Sequence, residues 1–345
     1  MSGGGVGWQL TTLLRRAAAA ASLGLAARAV AQGDRPGARP GLRPVEEPGS
    51  GGDLRLEVAT EMRRDLAGAA LAELDTLLAA SGDADTRLVV ERTLAATGSV
   101  DTAARMAQAW ADLPDPTRRA VLDPIGVLAH EGRQSDQTTC GSSALSMLAA
   151  AGDPSLALWL ATGRLVSPAP EELSGAPLSA LAALELAPPE ARFAAVQRVI
   201  KRRSNSGAAL GLPWPSALGT PPWGAARVAR FPGVRFHQRM LDDTDAADLR
   251  SVLAAVGAWV DRGVPVPLYS GGDTAGGWST AVPRHVVVAI GRSGSDLELW
   301  EPSVGAVQTV GVERLVASTA PLPALGGWSH LMWAVLPYRW RPRHP

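Results

Sequence analysis

The order of predicted elements along this 345-residue chain indicates an α+β protein. Apolar residues first recur at the three- and four-residue spacing of amphipathic helices. Short β-branched or aromatic segments bounded by glycine, serine or proline then predict antiparallel strands. This order, with helices before the sheet, differs from the alternation of helices and strands in a doubly wound fold. The sequence shows no internal repeat.

Composition excludes several classes of function. The chain is 46% hydrophobic and 19% charged, as in a globular protein, and its 33 basic and 33 acidic residues cancel. That balance favours neither a nucleic-acid partner nor binding to an anionic membrane. No run reaches the ~18 apolar residues of a spanning helix, so we predict no membrane span.

The N-terminal segment, residues 1–52, is predicted to be a disordered or targeting segment. Two arginines precede an alanine-rich apolar run at 17–27, and small residues ending at Ala31 offer a cleavage site. Residues 33–53 are rich in glycine, proline and arginine, as in a linker. Two localisations follow: a cytoplasmic protein, which we favour, or a secreted one cleaved near Ala31.

A helical domain is predicted at 53–128. Leucines mark a helical run over 54–78, and two further helices are expected at 86–97 and 100–113. Prolines around 114–124 punctuate its exit. This half contains no set of residues that suggests a catalytic or binding site. It could therefore be a prodomain that masks a groove, a substrate-docking module or a scaffold.

The third predicted domain, 129–345, contains helices followed by strands. Its predicted helices are 140–151, 154–163, 188–203, 224–230 and 246–262. In the last of them, we expect the inward side chains to be Leu249, Leu253, Val256, Trp259 and Val260. The predicted strands are 264–269, 285–291, 296–300, 306–310 and 332–337. The glycine-rich loop 270–281 is either a mobile flap or, as we favour, a plain hairpin loop.

Cys140 is the only cysteine of the chain, at the point where a polar run meets an apolar helix pattern. A sulfur at a helix N-terminus lies beside unpaired N–H groups and the positive end of the macrodipole, which favour a thiolate. A lone cysteine forms no intramolecular disulfide and no multi-thiolate metal site. Packing, redox chemistry or nucleophilic catalysis remain, and the local sequence favours catalysis. We predict no cofactor and no metal.

His285 opens a nearly all-apolar strand. Burial in a central strand explains Val286–Ile290, but it does not explain a histidine at the rim. An imidazole close to the sulfur would supply the base that a thiol needs near neutral pH. The other histidines are less well placed: His130, His237, His330 and His344.

Two further residues complete the predicted site. A hairpin closed by the turn 293–295 would return Glu301 beside His285, where a carboxylate can orient the imidazole. The backbone N–H of Cys140 and the side chain of Gln134, six residues upstream, are the expected oxyanion donors. Gln137 competes with Gln134, and either glutamine could instead be an ordinary surface residue.

These motifs resemble those of papain-like cysteine peptidases, above all the C39-like branch of bacterial peptidases. The resemblance covers roughly residues 128–315 and lies in Gln134-(five residues)-Cys140-Gly141, Arg284-His285-Val286-Val287-Val288 and Trp300-Glu301-Pro302. It implies a papain-like fold, with N-terminal helices packed on a C-terminal antiparallel sheet and a separate all-α region before it. It also implies proteolysis of a polypeptide or peptide substrate.

By the same resemblance, Cys140 is the nucleophile, His285 the general base and acid, Gln134 the oxyanion donor and Glu301 the orienting acid. The family usually has aspartate or asparagine where this chain has Glu301. The extra methylene requires that the strand lies slightly further off, or that another residue takes this role. The chain also lacks the Gly-x-x-x-x-Gly-Lys-Ser/Thr loop of the ATPase domains often fused to family members.

Three hypotheses follow from the sequence. The first is a cysteine peptidase or related amide hydrolase, which we favour. The second is an acyltransferase of the transglutaminase type, which uses the same dyad with an amine as acceptor. The third is a catalytically silent binding module in which Cys140 only packs at a helix start.

Overall fold

The computed structural model describes residues 52–209, 211–273 and 283–340. Over these residues the protein is α+β, with thirteen α-helices and a six-stranded antiparallel sheet. Helices dominate the N-terminal part and strands the C-terminal part, which confirms the predicted class and order. The predicted targeting segment and linker up to residue 51, and most of the glycine-rich loop (274–281), lie outside the described residues.

The region predicted to be helical contains six helices. They are α1 Leu54–Asp65, α2 Gly68–Ala80, α3 Ala84–Thr97, α4 Val100–Ala111, α5 Asp115–Leu122 and α6 Pro124–Val127. The single run predicted over 54–78 is wrong, since the chain breaks before Gly68, whose φ of 58° favours glycine. Helix α5 was not predicted, because the proline in its first turn begins a helix here.

These six helices pack on the C-terminal part of the protein. The backbone N–H of Leu54 donates to the carbonyl of Arg262 at 3.0 Å, and the Arg55 guanidinium donates to the carbonyl of Ala151 at 2.6 Å. Glu57 pairs with Arg262 and with Arg339. Most buried apolar side chains of α1–α4 join one continuous core with those of the sheet, whereas Val89, Met106, Ala109 and Trp110 belong to a second, smaller cluster.

Six more helices precede or interrupt the sheet. They are α7 Cys140–Gly152, α8 Pro154–Thr162, α9 Leu178–Glu185, α10 Pro189–Asn205, α11 Pro222–Val228 and α12 Ala246–Val260. Four begin with proline in the first turn or have an aspartate that caps the first N–H groups. The predicted helices therefore exist with small shifts of their ends, whereas α9 was not predicted. The side chains expected to point inward from α12 are buried.

The sheet has the strand order β1-β6-β2-β3-β4-β5, and every neighbouring pair is antiparallel. Its strands are β1 Val234–Met240, β2 Val266–Gly271, β3 His285–Ser293, β4 Asp296–Glu301, β5 Ala306–Gly311 and β6 His330–Arg339. A short helix, α13 Val312–Ala317, follows β5. The set of predicted strands omitted β1, although Arg235-Phe236-His237 has a strand-like pattern; this polar strand is completed by its pairing with β6.

The register of β3 and β4 decides where the site forms. Val288 pairs with Trp300, and a two-residue turn, Gly294-Ser295, joins the strands as the sequence predicted. Antiparallel pairing puts the start of β3 and the end of β4 at the same edge of the sheet. Helix α7 packs against β2 and β3, which brings its first turn to that edge.

Among the described residues, no single helix is long and apolar enough to cross a membrane. Helices α7 and α8 reach a sufficient length and apolar content only when they are taken together, and the pair is bent by 116°.

Candidate active site

Cys140 is the first residue of the 13-residue helix α7, and only 6% of it is exposed. Thr139 precedes it without capping the helix by a side-chain hydrogen bond. The first N–H groups of the helix therefore lie beside the sulfur, as the sequence predicted. The sulfur lines a cavity of about 490 Å³.

A buried glutamine holds the loop that leads to Cys140. Oε1 of Gln197, on α10, accepts the Ser135 N–H at 3.1 Å, and its Nε2 donates to the carbonyls of Gly132 and Arg133 at 3.2 and 2.9 Å. The hydroxyl of Ser143, on α7, donates to the same Gly132 carbonyl at 2.6 Å. This positioning role of Gln197 has no signal in the sequence, since it depends on contacts more than sixty residues apart.

The glycine after the cysteine is required by packing. A Cβ at Gly141 would lie 2.7 Å from Cβ of Thr220, closer than side chains approach. The hydroxyl of Tyr269, on β2, donates to the Thr220 carbonyl at 3.0 Å and fixes that loop. Burial and the charge of Cys140 raise the pKa of Tyr269 well above 10, so the phenol beside the sulfur stays neutral.

His285 and Glu301 form a buried pair at the sheet edge. Nε2 of His285 lies 2.5 Å from Oε1 of Glu301, and the two residues are 7% and 1% exposed. Glu301 also accepts the Ser303 N–H and the Ser303 hydroxyl at 2.9 and 2.6 Å, and the Val304 N–H at 3.0 Å. Burial opposes the charge of Glu301, but these hydrogen bonds and His285 lower its pKa to about 2.

The imidazole of His285 bridges Cys140 and Glu301. Burial would lower its pKa, yet hydrogen bonds with Cys140 and Glu301, and the negative charges of both, raise it to about 9. Because Nε2 faces Glu301, Nδ1 is the ring nitrogen left for the sulfur. The raised pKa favours a protonated imidazolium beside the charged Glu301 carboxylate at neutral pH.

The strand register explains why glutamate serves at position 301. Extending the pairing of Val288 with Trp300 by one residue places Glu301 opposite Val287. Side chains alternate along a strand, so Glu301 shares a face with Val287 and with His285, two residues further along. His285 therefore lies about 7 Å along the strand from the position opposite Glu301, at ~3.4 Å per residue. The longer side chain of glutamate helps to span this distance.

A tight turn packs on the imidazole from the other side. A Cβ at Gly326 would lie 2.3 Å from Cδ2 of His285, and Gly326 has a φ of 67°. The Ser270 hydroxyl donates to the Leu325 carbonyl at 2.9 Å and ties this turn to β2. The turn therefore fixes the ring plane of His285, and it was not identified from sequence.

The structure places the two glutamines differently. Gln137 is exposed and lines the cavity with Cys140, whereas Gln134 is half-buried and is not among the lining residues. The backbone N–H of Gln134 donates to the Pro302 carbonyl at 2.8 Å, so Gln134 sits beside the end of β4. Its Oε1 is buried and has no hydrogen-bond partner among the described residues. Thus Cys140, His285 and Glu301 meet, with Gln137 on the cavity wall and Gln134 behind it.

The cavity wall is mainly apolar and aromatic. Trp214 and Trp223 meet edge to face at 5.3 Å between ring centroids, and the Trp223 indole N–H donates to the Ala208 carbonyl at 2.7 Å. Trp333 and Leu218 extend the same wall. A volume of this size suits a bulky apolar side chain or a small ligand.

The remaining histidines lie elsewhere: neither His130, His237 nor His330 lines the cavity, and His344 lies outside the described residues. Among the residues that the structure describes, no group of three or more histidine, cysteine or acidic side chains could hold a metal ion.

Comparisons of the chain with protein-family models, curated proteins and solved structures gave no match.

Proposed function

We propose that this protein is a cysteine peptidase or related amide hydrolase with a papain-like catalytic arrangement. The observation that carries the proposal is the position of His285 between the Cys140 thiol and the Glu301 carboxylate, beside an apolar cavity. A thiol, an imidazole and an orienting acid in contact are the parts that nucleophilic acyl transfer requires. A silent binding module would not need this buried, charged pair.

The proposed reaction has two steps, acylation of Cys140 and hydrolysis of the resulting thioester. The Cys140 thiolate attacks the substrate carbonyl carbon, and the resulting oxyanion faces the N–H of Cys140 at the start of α7. The His285 imidazolium gives its proton to the leaving amine, the C–N bond breaks and a thioester to Cys140 remains. His285, now neutral, takes a proton from water, which attacks the thioester and releases the acid and the thiolate.

Glu301 has a positioning role in this scheme. Its three hydrogen bonds from the 303–304 turn keep the carboxylate charged and aimed at Nε2. That contact fixes the imidazole so that Nδ1 faces the sulfur, and it stabilises the imidazolium. The carboxylate itself takes no proton during the cycle, because its pKa is near 2.

A side-chain amide is the second oxyanion donor of the proposal. Gln134 is the choice that the motif spacing implies, and its side-chain oxygen is buried without a hydrogen-bond partner among the described residues. Gln137 has the cavity position. Gln134→Ala and Gln137→Ala decide between them, since loss of the donor lowers kcat by about 100-fold or more.

The test is turnover of fluorogenic peptide amides that carry a bulky apolar residue on the acyl side of the bond. We expect hydrolysis by the wild type, none by Cys140→Ala, and a thermal midpoint that is similar in both. Turnover that persists in Cys140→Ala would refute the proposal. Adding a primary amine identifies acyl transfer, because an amide of that amine then replaces the free acid as product.

A further inference from the structure

The cavity beside Cys140 has an unusual charge balance. Among the described residues that line it, Arg284 is the one charged side chain apart from the titrating His285, and none of them is a carboxylate. The rest of the wall consists mainly of tryptophan, proline and small or hydroxyl side chains. A cation inside the cavity would therefore lose its hydration without gaining a partner.

Arg284 is well placed to contact a ligand at the mouth of this cavity. Its side chain is exposed, while its backbone N–H donates to the Ser270 carbonyl at 2.9 Å and extends the pairing of β2 with β3. Arg284 directly precedes His285 and is itself one of the residues that line the cavity. A flexible guanidinium on a fixed backbone can reach a group bound next to the reacting carbonyl.

Guanidinium chemistry indicates which group that is. Its planar fork of N–H donors matches a carboxylate in a bidentate pair, and it keeps its charge at every physiological pH. None of the ion pairs among the described residues involves Arg284. The aromatic wall meanwhile takes an uncharged apolar group.

We propose that Arg284 is a specificity-determining residue that binds a carboxylate of the substrate. The substrate class is then a peptide or acyl amide with a bulky apolar group for the cavity and an acidic residue next to it. This inference rests on the proposed function and adds the identity of the flanking charge. Opposite charges also predict that the preference weakens with salt, since an exposed pair is screened.

The experiment compares kcat/KM for matched substrates that differ only in glutamate against glutamine next to the apolar residue, on either side. The variants are Arg284→Gln and Arg284→Glu, with Arg64→Glu as control, because Arg64 is exposed on α1 and does not line the cavity. The readout is the glutamate-to-glutamine ratio for each variant. This ratio cancels any common change that the substitution makes to the neighbouring His285.

We expect the wild type to favour glutamate by roughly fivefold, as one exposed ion pair supplies. Arg284→Gln should abolish that preference, Arg284→Glu should reverse it, and Arg64→Glu should retain it. Turnover with a ratio of one in the wild type, or an unchanged ratio in Arg284→Glu, would overturn the inference and leave the proposed function intact. Absence of any Cys140-dependent turnover would instead refute the proposed function.

Discussion

Nε2 of His285 lies 2.5 Å from Oε1 of Glu301, although the two residues come from different strands and are two register positions apart. The contact depends on a hairpin that aligns the two strand ends and on a side chain long enough to bridge them. It leaves Nδ1 for Cys140. Against the effect of burial, the hydrogen bonds and charges of Cys140 and Glu301 together raise the pKa of the imidazole to about 9. The pairing of β3 with β4 thus positions the carboxylate that helps to keep His285 protonated.

Glu301→Gln should lower kcat and shift the pH profile. The amide can still contact the ring, but it lacks the charge that raises the pKa of His285. We expect kcat/KM to fall about tenfold or more, within the range for acid–base groups. The alkaline limb of the kcat/KM profile, near pH 9 in the wild type, should move to lower pH.

Glu298→Gln is the matched control for that variant, because Glu298 lies on the same strand, half-exposed and away from the cavity. Its pH profile should match that of the wild type. An alkaline limb that stays in place in Glu301→Gln would contradict the assigned role of Glu301.

Gly326→Ala should inactivate the protein through its contact with the imidazole. The added Cβ would meet His285 at 2.3 Å and force the ring out of its position. The adjacent Gly327 also has a positive φ, of 81°, but a Cβ there would meet nothing within 4 Å. Gly327→Ala thus carries similar backbone strain, about 1–3 kcal/mol, without the clash.

Activity per folded molecule separates the two glycine variants. We expect Gly327→Ala to lose stability but to retain kcat, whereas Gly326→Ala loses kcat as well. Equal kcat in the two variants would show that the turn does not fix the ring.

The His285–Glu301 pair should stabilise the fold in a defined pH window. His285 has a raised pKa, so its contribution is complete below about pH 6.5 and is lost as the pH rises through about 9. Glu301 has a lowered pKa, so its contribution is complete above about pH 4.5 and is lost as the pH falls towards 2. Unfolding free energies of the wild type and His285→Gln, measured by denaturant titration, should differ most between pH 5 and 6.5 and converge above 9. A difference that grows with alkaline pH would contradict this assignment.

Removal of residues 54–128 should prevent folding rather than raise the proposed activity. None of these residues lines the cavity, and their apolar side chains share the core of the sheet. Arg262 and Arg339 would also lose their partner Glu57. We expect insoluble or unfolded protein by circular dichroism, and a folded, more active product would instead support the prodomain alternative.

Much of the fold was predictable, because its signals are local. Apolar spacing and first-turn prolines gave α7, α10 and α12, and the glycine turn at 294 gave the β3–β4 hairpin. Strand β1 and helix α9 were missed because their burial depends on tertiary partners that the local pattern does not reveal.

The site was predictable only where a reactive residue type stands at the end of a predicted helix or strand. Cys140, His285 and Glu301 stand out as reactive residue types at element ends, and the structure brings them together. Gln197 and Gly326 act by contacts across more than forty residues, which no local pattern encodes. The choice between Gln134 and Gln137 depends on loop conformation, which spacing alone does not determine.

We propose that Cys140 is a nucleophile activated by His285. Labelling by a broad cysteine-hydrolase probe tests it most directly, with wild type, Cys140→Ala and His285→Ala compared at equal concentration. We expect rapid labelling of the wild type, none of Cys140→Ala, and labelling of His285→Ala slowed by about 100-fold or more. Equal labelling rates of the wild type and His285→Ala would contradict it.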